Sequence, residues 1–92
     1  MNVERAETIA LKAVAWLMGN EDLRGVFLGA TGTSEMDLRS RLNEDAFLVS
    51  ILDFLMNDDA WVTAFCDEHG FDYMDPMMAR QSLPGGAEVN WT

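Results

Sequence analysis

Apolar residues recur three and four positions apart along most of the chain, while strand-like alternation bounded by turn residues never reaches a convincing length. The pattern predicts six helices. The first runs from Val3 to Met18, with Asn2 as cap and Gly19 as stop, and its second half is apolar nearly all round, which suits the middle of a fold. Asn20 caps a second helix that reaches Ala30 and ends at Thr31-Gly32. Ser34-Glu35-Met36-Asp37 opens a short third helix to Leu42, as a capping box with Asp where Glu is usual. The fourth starts at Asn43-Glu44-Asp45, and Phe47, Leu48, Ile51, Leu52, Phe54 and Leu55 give it a broad apolar arc. Asp58 caps a fifth helix that ends at His69-Gly70. Asp75 and Pro76 stand as N-cap and first residue of a sixth helix, which runs to about Leu83.

Sliding the chain against itself by 38 residues aligns Ile9 to Asp37 with Phe47 to Asp75. Leu17 meets Leu55, Phe27 meets Phe65, Gly32 meets Gly70, and the caps Asn20 and Asp58 coincide. A period of this length is that of a helical repeat. Duplication of a helix-turn-helix unit produces such a register, and so does convergence, because every helical hairpin needs a stop, a cap and an apolar face. Either origin places helices one and four against each other, with their hairpin partners outside. The expected fold is all-α, a compact bundle of about six helices forming a single domain over residues 1–83, followed by a Pro-Gly-Gly hinge and tail over 84–92.

Ninety-two residues, 49% of them hydrophobic, supply one core and no more. The net charge of −10 changes the picture further. Six basic residues are too few for ordinary phosphate contacts, so nucleic acid is not an expected partner, and an anionic membrane surface is disfavoured for the same reason. Residues 43–92 hold Arg80 as their single basic residue against ten acids, so the second half carries −9 of the total. Many of these acids stand at helix starts, where they offset exposed N–H dipoles. Asp67, Glu68 and Asp72 do not, which makes them candidates for an acidic surface that receives a basic partner. The start, MNVERAET, lacks the basic and apolar regions of a secretory signal, and the longest apolar runs are too short to span a bilayer. A cytoplasmic setting is expected.

Cys66, His69 and Asp72 are spaced so that the thiol and imidazole share one side of a helix end, the raw material of a thiolate nucleophile or a zinc site. Against this, Asp67 and Glu68 oppose a thiolate, there is no second Cys or His, and ligands so near in sequence make a poor cage. The structural reading is a core cysteine and a capping histidine. The acidic stretch from Asp67 to Asp75 lacks the ligand pattern and central glycine of a calcium-binding loop, and no glycine-rich phosphate loop is present. No catalytic residue, metal ligand or cofactor is expected. Trp91, beyond the hinge, either folds back on the bundle or inserts into a partner, and Met74, Met77 and Met78 supply either core filler or an adaptable surface.

The segments LKAVAWLMGNEDLRGVFLGATG, DLR and FLVSILDFLMNDDAWVTAFCDEHG, with the LPGG end and Trp91, resemble an uncharacterised family of short bacterial proteins known only as a domain of unknown function. The resemblance covers nearly the whole chain and implies a compact helical fold. It brings no catalytic residue, ligand or partner with it. The functional expectation is therefore a small non-catalytic interaction or regulatory protein, with Asp67, Glu68, Asp72, Met77 and Trp91 as its contact surface and a basic protein as partner; a homodimer is the other assembly to weigh. The alternative is an acidic nucleic-acid mimic or inhibitor of a basic protein, followed by a Cys/His enzyme or metal protein.

Overall fold

The computed structural model describes residues 1–85, and among them six helices and no strand. They are α1 (Val3–Met18), α2 (Glu21–Thr31), α3 (Glu35–Arg41), α4 (Asp45–Leu55), α5 (Asp59–His69) and α6 (Asp75–Ser82). The all-α bundle expected from periodicity is the fold observed. None of these helices is long and apolar enough to cross a membrane.

Local chemistry sets most of the boundaries. Asn2 accepts a hydrogen bond from the Arg5 amide at 2.8 Å, and Asn20 accepts from the amides of Asp22 and Leu23 at 3.0 and 3.3 Å. Asp58 does the same for Ala60 at 2.8 Å. Each satisfies amides that the first helical turn leaves unpaired. Gly32 and Gly70 end α2 and α5 at φ of 65° and 71°, in the left-handed region that side chains with a Cβ rarely adopt. The next residue then closes the end: the Thr33 amide donates to the Leu28 carbonyl at 3.1 Å, and the Phe71 amide to the Cys66 carbonyl at 2.9 Å.

These paired features lie 38 residues apart, and burial follows the same register. Ile9, Ala10, Ala13, Val14 and Leu17 are buried on α1, and their equivalents Phe47, Leu48, Ile51, Leu52 and Leu55 are buried on α4. Phe27 and Phe65 are both fully enclosed. The correspondence stops after the second glycine, where α6 begins later in its half than α3 does in the first.

α1 packs on α4 as expected, but its most extensive partner is α6, which also rests on α4. The centre is therefore three helices rather than two. α6 is short and polar, and its contribution to the interior is small residues: Ala79 and Pro76 are fully buried, with Leu83 just past its end. Small side chains let its backbone approach α1 closely, where Ala6, Ala10 and Ala13 are equally buried. Arg80 clasps Asp53 of α4 with two parallel hydrogen bonds from its guanidinium. At the opposite end Arg5 of α1 meets Asp75 at 3.6 Å and lies 5.6 Å from the Phe71 ring centroid.

The start of α6 differs from expectation. Met74, not Asp75, is the cap residue, and Asp75 and Pro76 are the first two residues of the helix. The reason is the turn that precedes it. Asp72 accepts a hydrogen bond from the Met74 amide at 2.9 Å, while its own amide donates to the Asp75 carboxylate at 3.0 Å. This reciprocal arrangement draws Met74 into helical φ and ψ and moves the cap back by one residue.

Candidate functional site

The last turn of α5, the connection over residues 70–74 and the first turns of α6 hold four of the five residues singled out for contact. Trp91 lies outside the described residues.

Cys66 faces inward and is fully buried. Its thiol donates to the Asp72 carbonyl at 3.5 Å, while His69 Nδ1 donates to the Phe65 carbonyl at 2.9 Å. The two side chains thus serve the backbone separately, and the imidazole does not bond the sulfur. Burial pushes the Cys66 thiol up to about 11, with Asp75, Asp67 and Asp72 adding to the rise by repulsion of a thiolate. The rise favours the protonated thiol at neutral pH. Among the described residues no group of three His, Cys, Asp or Glu side chains is placed to hold a metal ion.

The buried thiol has a measurable consequence. With the folded value near 11 and the unfolded value near 9, the native state keeps a proton that the unfolded state releases. Its stabilising effect is complete below pH 9 and disappears as the pH rises through 11. Urea midpoints measured between pH 8.5 and about 11 are expected to fall more steeply for the wild type than for Cys66→Ala. Parallel curves refute the assignment, because every other titrating group is common to both proteins.

The acidic residues separate into two places. Asp67 and Asp72 line a cleft of about 270 Å³ whose other walls are Phe71 and Tyr73. Glu68 instead lines a larger cleft of about 630 Å³ on another flank of α5, with Trp16, Asn20, Glu21 and His69 among its neighbours. Adjacent helical positions point about 100° apart, so Asp67 and Glu68 part company around the α5 axis. Of the three acids picked out from sequence, Asp67 and Asp72 share one cleft and Glu68 lines another.

Asp67 and Asp72 also have structural duties. Asp67 accepts a hydrogen bond from the Tyr73 hydroxyl at 2.6 Å, and that bond, followed by the carboxylate's charge, raises the Tyr73 pKa above its usual value. Asp72 holds the turn into α6, as described. Each nevertheless remains exposed, and these hydrogen bonds engage only the Oδ1 atom of each carboxylate. Arg5 lies against Phe71 but pairs with Asp75, leaving the cleft lined by two carboxylates and no basic side chain.

Beside this cleft lies an apolar row. Met74, Met77 and Met78 are 51%, 38% and 41% exposed, and their spacing of three and four places them on one face of α6. Tyr73, at 54% exposed, joins the row to the cleft. All three are exposed side chains rather than core filler. Phe71 and Tyr73 were not among the residues picked out from sequence; their signal was the pattern of an aromatic on each side of Asp72, directly after the Gly70 stop.

No curated protein matches the chain, and no solved structure does. A family model does, over residues 3–86, and the chain belongs to that family, described as a protein of unknown function (DUF3572).

Proposed function

We propose that this protein is a small non-catalytic interaction module that holds a protein partner on the corner formed by α5, the following turn and α6. The observation that carries this reading is the exposed row Tyr73, Met74, Met77 and Met78, set directly against the cleft between Asp67 and Asp72. Methionine is flexible and polarisable, so such a row accommodates a partner's side chains without a preset shape. Contiguous exposed apolar side chains with a polar rim are what a docking surface needs and what a freely soluble surface avoids. Cys66, the side chain best suited to covalent chemistry, serves here as packing.

Capture of partners from the native cell tests the reading. Tagged wild type is expected to retain a partner that the combined Met74→Gln, Met77→Gln and Met78→Gln variant loses, while Glu68→Gln, in the other cleft, retains it. Equal capture by wild type and the methionine variant rejects this surface. Loss on deletion of residues 86–92 instead assigns the contact to the tail that carries Trp91.

A further inference from the structure

Resting on the interaction reading just given, we infer that the occupant of this corner is a basic amphipathic helix, its apolar stripe on the α6 methionine row and one lysine or arginine side chain seated between Asp67 and Asp72. The cleft has the dimensions for this. At about 270 Å³ and open to solvent, it is a shallow cleft that admits a long side chain rather than an enclosed ligand site. Its walls suit a cation: two carboxylates supply charge, and the exposed Tyr73 ring, with the edge of Phe71 that Arg5 leaves open, supplies apolar surface for the alkyl stem.

Charge selects among occupants. A second copy of the chain brings −10 against −10, and the second half, where this corner lies, carries most of it. An acidic partner or an anionic lipid surface meets the same repulsion. A basic segment is attracted at long range and then recognised at short range by the cleft. Secondary structure selects next. Met74, Met77 and Met78 cover one turn of α6 as an exposed patch on a helix face rather than a pit, and a helix face is complemented by another helix with anchors three and four residues apart. A cationic anchor at the end of that stripe then reaches the cleft beside Tyr73.

Titration of fluorescein-labelled peptides with the full-length protein tests this. One peptide of roughly 14 residues places leucines on one face of a helix and lysines and arginines on the other. A second has the same composition scrambled so that no face forms. The amphipathic peptide is expected to bind at least about tenfold more tightly than the scrambled one. Asp67→Asn with Asp72→Asn keeps an acceptor for both protein hydrogen bonds while removing both charges, and is expected to weaken binding about five- to tenfold. The methionine-to-glutamine triple variant is expected to weaken it by a similar or larger factor. Circular dichroism and urea midpoints establish that each variant is folded.

Equal affinity for the two peptides overturns the inference, since attraction is then only net charge. So does displacement of the peptide by spermine that is as effective on the Asp67→Asn, Asp72→Asn protein as on wild type, or the absence of peptide binding. If the native partner is still lost from the methionine variant while the basic helix fails to bind, this inference falls and the interaction module stands. If the native partner ignores that variant, both fall.

Discussion

Replacing Phe65 by alanine is expected to cost about 3–5 kcal/mol of folding stability, read as a large drop in the urea midpoint at unchanged slope. Phe65 is fully buried, and its ring organises the corner: Trp16 packs edge-on at 6.0 Å, His69 lies at 4.6 Å and Phe71 at 5.7 Å between centroids. Removal leaves a cavity that three large rings fixed by their own helices and turn cannot refill. A chain of this length has roughly 5–14 kcal/mol in total, so about a fifth or more of the margin goes with one side chain. The repeat register gives the comparison. Phe27, the equivalent in the first half, is equally buried and packs on Phe54 at 5.4 Å, so Phe27→Ala is expected to cost a similar amount. A loss below about 1 kcal/mol at either position contradicts the packing described. Phe65→Ala is further expected to weaken the basic peptide even where the protein remains folded, because Phe71 loses the ring behind it; Phe27→Ala is not.

Ala10→Leu is the second large effect, and its sign runs against the sequence pattern. Leucine is apolar and a good helix former, and the equivalent position in α4 is already leucine, Leu48, also buried. Hydrophobic patterning therefore calls the change harmless. In the fold, Ala10 is fully enclosed on a helix that packs against α2, α4 and α6 together, with Ala6, Ala13 and Ala79 also at zero exposure. The added carbons have no space and force the helices apart, at a cost of about 1–3 kcal/mol. Ala15→Leu on the exposed side of the same helix is expected to stay within about 0.5 kcal/mol of wild type, which separates crowding from helix propensity. Thermal or urea unfolding of both variants is sufficient, and an Ala10→Leu protein as stable as Ala15→Leu shows that α1 and its neighbours are not closely packed.

The two positions illustrate a wider division. Asn20, Asp58, Gly32 and Gly70 act on backbone groups within a few residues of themselves, so their effects are independent of where the rest of the chain goes. Helix ends were accordingly legible to within a residue or so, and the buried faces of α1 and α4 followed from spacing. Asp75 was placed one position out because its carboxylate joins a turn built with Asp72 and an ion pair with Arg5, a residue some seventy positions away in sequence.

The candidate site was legible only in part. Asp67 and Asp72 could be picked out as acids away from helix starts, whereas spacing left the methionines as either core filler or surface; Asp67, Asp72 and Met77 do lie on one corner. That Glu68 lines another cleft depends on what packs beside α5, with Trp16 and Asn20 on one flank and the turn after Gly70 on the other, and spacing within α5 does not give those neighbours.

Alone, then, the amino-acid sequence determined six helices, their ends and their internal 38-residue register, because caps, stops and periodicity are local interactions. Tertiary structure decided that polar, short α6 occupies the centre beside α1 and α4, because close approach depends on small residues meeting across helices. It also decided which carboxylates share a cleft with Phe71 and Tyr73, since a turn of five residues brings the end of α5 and the start of α6 to one place and turns Glu68 away from it.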